Sequence, residues 1–146
     1  MPTISDLIPK SVYGYNVRKP TAEEDTFFKS MPQVGGMAAD DDQITLNPYS
    51  TLKNYEKGLV AQNEAMRIYM RQNDIDPQFT VTPQQAKFFE GSEYGKPGNE
   101  KYMRQTLMGR IYTGDPTAYA TPEQTAIAKR IADGLRQRNN LSDLYE

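Results

Sequence analysis

The side chains able to do chemistry in this chain are almost all carboxylates. Cys is 0 and His is 0. That removes the thiolate nucleophile, the disulfide, the commonest transition-metal ligand and the acid–base group best matched to neutral pH. What is left is the paired-carboxylate mechanism of glycoside cleavage, which needs one acid and one base or nucleophile across a sugar. Glu64, Glu90, Glu93 and Glu100 are available for it. Glu64 stands near the apolar stripe of an expected helix, the place where a carboxylate is most readily perturbed. Nothing in the spacing fixes a second carboxylate opposite it, and an ion pair with Arg67 or Arg71 accounts for it equally well. The expectation is no catalytic residue and no enzyme.

Metal and phosphate chemistry fare no better. Asp40-Asp41-Asp42 offers oxygens to a hard cation, but adjacent side chains diverge and no Asp-x-Asp-x-Asp-Gly loop follows. It reads as a solvated charge cluster on a mobile segment. Asn73-Asp74-Ile75-Asp76 reads as a helix end before Pro77. In Gly91–Gly98, Gly91 and Gly95 stand too close for a phosphate loop, and Pro97 follows Lys96. We therefore expect no metal, no cofactor and no small-molecule substrate. Lys129, Arg130, Arg136 and Arg138 are the residues that could touch nucleic acid, but Arg136 and Arg138 suit the end of a helix, where cations complement the dipole. With a net charge of -2, nucleic-acid contact is not predicted.

The elements that would position any site divide the chain in two. Hydrophobic residues make up 37% of its 146 residues, below the roughly 45–50% of a globular domain counted with Gly. Residues 1–46 carry Pro2, Pro9, Pro20 and Pro32 with Gly14, Gly35 and Gly36, and their apolar residues come in short separated groups. This segment reads as an extended partner-binding arm. Thr21-Ala22-Glu23-Glu24 fits a capping box, so a short helix is expected at 21–29. The anchors are Ile4, Leu7, Ile8, Tyr13, Tyr15, Phe27 and Phe28, apolar and aromatic residues that a featureless linker lacks.

Residues 47–141 read as a helical domain, with 142–146 as a tail. Asn47-Pro48 offers a cap and a first-turn proline to a helix running to about Asn73, with Leu52, Tyr55, Leu59, Met66, Tyr69 and Met70 at three- and four-residue steps. Thr82-Pro83-Gln84-Gln85 and Thr121-Pro122-Glu123-Gln124 are two capping boxes opening further helices. Asn99 caps another, which stops at Gly114-Asp115-Pro116. Ile127, Ile131 and Leu135 recur every fourth residue in the last, flanked by Ala128 and Ala132. The expected fold is all-α: a small bundle of three to four helices with a long extended N-terminal arm. No stretch nears the roughly 20 apolar residues of a membrane span, and the N-terminus has no secretory signal pattern. Synthesis in the cytoplasm is the expectation.

Tyr is 10 and Trp is 0. Tyr13, Tyr15, Tyr49, Tyr94, Tyr119 and Tyr145 fall outside the helical stripes, where they suit contacts with a partner. Asn47-Pro48-Tyr49-Ser50, Asn63-Glu64-Ala65, Met103-Arg104-Gln105-Thr106, Gly114-Asp115-Pro116 and Thr121-Pro122-Glu123-Gln124 together resemble small helical proteins encoded among the virion genes of tailed bacteriophages. The resemblance covers residues 47–134 and carries over no functional residue. It implies a structural role: a portal–tail component, an internal ejected protein or a capsid-bound factor. The expected partners are other virion proteins in a multi-copy symmetric assembly, and the expected location is the virion, after synthesis in the host cytoplasm. The alternatives are a small protein that binds and inhibits a host enzyme and, third, a carboxylate-based cell-wall hydrolase.

Overall fold

The computed structural model describes residues 10–51 and 54–145. The first elements are strands: β1 (Ser11–Val12) and β2 (Tyr15–Arg18), followed by α1 (Ala22–Ser30), β3 (Gly36–Ala38) and β4 (Ile44–Leu46). Then come α2 (Asn54–Gln72), α3 (Pro83–Phe88), α4 (Glu100–Tyr112) and α5 (Pro122–Tyr145), with 3-10 turns at Glu93–Gly95 and Pro116–Ala118. The four strands form one mixed sheet in the order β1-β2-β4-β3. β1 and β3 pair antiparallel with their neighbours, and β2 runs parallel to β4 with Val17 opposite Ile44. The fold is therefore α+β, and the all-α expectation is wrong.

The extended arm is wrong with it, because residues 10–46 fold onto the chain's own helices. The strands escape a sequence reading because each has two to four residues. Their period-two signal amounts to single pairs, Tyr15 with Val17 and Ile44 with Leu46, too short to stand out. Gly14, which looks like a loosening residue, closes a tight hairpin. Tyr13 and Gly14 both have positive φ, at 51° and 83°, and Val12 faces Tyr15 across a two-residue turn. That is the mirror-image turn whose twist matches paired strands.

Alternation in β4 separates two faces of the sheet. Ile44 and Leu46 join the main core with Ala61, Ala65, Met66, Ile68 and Met70 of α2. Thr45 and Asn47 point the other way, toward α1. Asn47 is 1% exposed and does not cap a helix at residue 48 as expected. Its Nδ2 donates to the carbonyls of Phe28, Met31 and Val34 at 3.3, 3.1 and 2.7 Å, and its Oδ1 accepts from the Tyr49 amide at 2.8 Å. One side-chain amide thus satisfies the carbonyl end of α1, whose orphan acceptors need donors, and ties it to β4.

The two Thr-Pro-x-Gln boxes are joined to each other. Within each box the Thr hydroxyl accepts from the Gln amide, and the Gln Oε1 accepts from the Thr amide. Gln85 Nε2 then donates to Gln124 Oε1 at 2.6 Å, and Gln124 Nε2 donates back to Gln85 Oε1 at 2.9 Å. The remaining donors reach Ala118 O and Tyr119 O from Gln85 and Thr80 O from Gln124. Both side chains are almost fully buried, and such burial is stable only when every polar group is paired. Leucine in place of Gln85 takes one partner from each end of the Gln124 amide and removes the Gln85 donor from the Ala118 and Tyr119 carbonyls. A loss of ~1–3 kcal/mol is expected in urea denaturation, the cost of leaving buried groups unpaired.

α2 and α4 cross at Gly109. A Cβ there would overlap Asn63 Oδ1 and come within 3.2 Å of the Asn63 carbonyl oxygen. Gly58 of α2 has nothing within 4 Å of its would-be Cβ. Alanine should therefore act oppositely at the two sites. Gly109→Ala is expected to cost ~1–3 kcal/mol by overpacking, and Gly58→Ala to add ~0.4–1 kcal/mol by restricting the unfolded chain. Urea midpoints of the two variants measure both signs.

Candidate interaction surfaces

The expected anchors are sorted by the fold. Ile4, Leu7 and Ile8 lie outside the described residues. Tyr15 at 3% and Phe28 at 0% exposure are core residues. Tyr15 donates to Gln72 Oε1 at 2.8 Å, and its ring carries the Arg138 guanidinium at 4.3 Å. Burial pushes its phenol above the usual tyrosine value. Tyr13 is half-buried, its hydroxyl bonded to that of Tyr112 and its carbonyl accepting from Arg138. Burial, followed by the Tyr13 hydroxyl, pushes Tyr112 up to about 12. Of the described anchors, Phe27 is the one left largely open, at 43% exposure.

The acidic run is solvated, as expected, but it is not loose: it forms the β3–β4 hairpin turn, and Asp41 and Asp42 each hold an arginine. Arg18 donates to Glu24 at 2.6 and 3.0 Å and to Asp41 at 3.0 and 3.3 Å. Arg71 donates to Asp42 at 2.8 Å and to the carbonyls of Ala38 and Ala39. Glu24 also closes the capping box of α1 with Thr21. Among the described residues no group of three acidic side chains is placed to hold a metal ion, and no helix is long and apolar enough to cross a membrane.

Glu64 is buried at 5% exposure, and it meets Arg67 at 2.9 Å. Arg67 also donates to the Tyr94 hydroxyl at 2.7 Å. Burial opposes the Arg67 charge, but Glu64 and Tyr94 outweigh it and raise its pKa. The cluster is closed on itself, with its donors and acceptors turned inward. Glu93 pairs with Lys96 in the loop ahead of α4. Glu100 lies in the first turn of α4 and accepts from the Gly98 amide.

Two exposed aromatics lie where α3 meets the loop between α4 and α5. Phe88 is 56% and Tyr119 53% exposed. Arg110 lies over the Phe88 ring at 3.9 Å. It is held there by Asp115 Oδ2 at 3.0 and 2.9 Å and by Thr117 Oγ1 at 2.5 Å. Burial works to raise the Asp115 carboxyl, but hydrogen bonds from Thr117 and Arg110 prevail and hold it below the usual range. Tyr119 sits at φ 50° in the left-handed region, uncommon for a residue with a Cβ. The backbone is pinned there because its carbonyl accepts from Gln85. Asp115 and Pro116 continue into a groove of about 350 Å³ walled by Leu59, Val60 and Asn63 of α2. Leu59 is itself 40% exposed, although helical periodicity places it in the stripe.

Sequence reasoning missed Phe88 and Arg110. Phe88 adjoins Phe89, which is 3% exposed, and nothing in the spacing says which of the two rings turns outward. Only a three-dimensional path brings Arg110 over the Phe88 ring. The chain matches no known protein family, no curated protein and no solved structure.

Arg18, Glu24 and Asp41 yield a pH test. Hydrogen bonds from Arg18 pull Glu24 down to about 2 and also lower Asp41. A lowered folded-state pKa contributes stability above the unfolded value, roughly 4 to 4.5 for these groups, and loses it as pH falls toward 2. The stability difference between the native chain and Arg18→Gln should be largest above about pH 4.5 and shrink on acidification. Urea titrations across that range measure it.

Proposed function

We propose that this protein is a structural and assembly component of a tailed-bacteriophage virion, made in the host cytoplasm and docked on a larger ring or shell of other virion proteins. It binds rather than catalyses. The observation that carries the reading is the fixed Phe88–Arg110–Tyr119 cluster. Phenylalanine, tyrosine and arginine are the residue types enriched at interfaces, and tyrosine and arginine among those that dominate binding energy. Here the arginine is already immobilised by Asp115 and Thr117. Pre-ordering lowers the entropy lost on association. The short strands and paired caps supply the rigid frame, and the resemblance to small virion proteins supplies the kind of partner. A multi-copy ring suits a modest single contact, because repeated contacts add avidity.

The test is incorporation into particles. Phe88→Ala and Tyr119→Ala truncate exposed rings and should leave the far-ultraviolet spectrum and melting temperature nearly unchanged. Each is expected to weaken docking by about 2 kcal/mol, roughly thirtyfold, as loss of a central contact does. Quantitative mass spectrometry of purified particles measures copy number. An unchanged copy number in the double variant overturns the cluster as the docking site. Absence of the native chain from particles overturns the virion reading.

A further inference from the structure

The order β1-β2-β4-β3 leaves β3 at an edge of the sheet. Toward β4, Gly35 O accepts from the Asn47 amide and the Ala39 amide donates to Gln43 O, both at 2.9 Å, with Met37 opposite Thr45. Residues 35, 37 and 39 therefore spend their backbone groups inward, and those of Gly36 and Ala38 point out of the sheet. Ala38 O is met by Arg71. Among the described residues, the Ala38 amide and the Gly36 backbone groups have no backbone partner outside the sheet. An edge with free main-chain groups is a template for another strand.

A groove of about 370 Å³ runs beside that edge, walled by Thr21, Glu23, Glu24 and Phe27 of the α1 side and by Met37 to Asp40. Phe27, the exposed anchor, and Met37 supply its apolar surface. Its charge is one-sided. Glu23 and Asp40 are exposed and form no ion pair among the described residues, while Glu24 and Asp41 share Arg18.

We propose that this groove receives an extended basic segment of a partner protein, added as a strand outside β3. Its main chain pairs with Gly36 and Ala38. An apolar side chain rests on Phe27 and Met37, and a lysine or arginine meets Glu23 and Asp40. Alternation along a strand delivers such side chains to one face, the usual division in strand addition between main-chain affinity and side-chain specificity. A second copy of this chain is disfavoured, because a two-fold contact sets the same patch against itself and opposes Glu23 and Asp40 to their own copies. The proposal rests on the reading of a binding protein but not on the Phe88 cluster, which lies on other elements.

The probe is a fluorescein-labelled peptide repeating lysine-threonine-valine-threonine, which sets lysine and valine on one face of a strand, titrated into the full chain and followed by anisotropy, with glutamate in place of lysine as the control. Micromolar binding of the basic peptide alone is expected. Ala38→Pro removes the outward amide without touching a bond to β4, and edge strands tolerate proline at such positions. It should weaken binding at least tenfold. So should Glu23→Gln combined with Asp40→Asn, both exposed and safe for the fold. Loss in the charge variant with none in Ala38→Pro means attraction without strand pairing and overturns the proposal, as does equal binding of both peptides or of neither. Phe88→Ala should leave peptide binding intact, so failure here is separable from failure of the particle test.

Discussion

The structure depends on α2 being approached closely from three sides at once. Gly36 of β3 lies against Val60, Gly109 of α4 against Asn63, and Gly134 of α5 against the Tyr69 ring. In each case a glycine removes the Cβ that would hold the neighbour off. Ala61, Ala65 and Ile68 are fully buried on one face of α2, and Met66 and Met70 are fully buried on another. A helix buried on both faces cannot read as a simple amphipathic stripe. Flexible methionines fill the irregular space that three crossings leave.

Buried amides do the joining that a larger apolar core does elsewhere. Asn47 links α1 to the sheet, the Gln85–Gln124 pair locks the starts of α3 and α5 together, and Gln105 donates to Ile75 O at the end of α2. Each bond contributes little net stability, but each leaves a costly unpaired group if broken. This makes the arrangement specific: a slip of one element breaks several bonds together. It fits a chain with few apolar residues for its length, whose α4 and α5 meet α2 through Gly and Ala as much as through Leu and Ile.

The same rigidity shapes the two surfaces. Tyr119 is held in an uncommon backbone region by the buried Gln85, and Phe88 is held under an arginine that two other side chains fix. Beside β3, Arg18 and Arg71 engage Glu24, Asp41 and Asp42, and Glu23 and Asp40 are left exposed. In both places charge or aromatic surface is displayed because interior polar bonds have fixed the backbone beneath it.

Thr21 with Glu24, Thr82 with Gln85 and Thr121 with Gln124 show what sequence alone determines. A capping box closes over three residues, so its parts are adjacent in the chain and readable there. The periodicity of α2, α4 and α5 is local in the same sense, and so is the lack of Cys and His that argues against most catalysis. The sheet was not legible. Val17 meets Ile44 across the whole of α1 and β3, and strands this short carry no period of their own. Nor could spacing reveal that two capping glutamines would bond to each other, that Ala128 and Ala132 rather than Ile127 and Ile131 would be most deeply buried, or that Phe28 would turn inward while Phe27 stayed out. Those outcomes depend on which elements pack together, and packing is set by contacts between residues far apart in the chain.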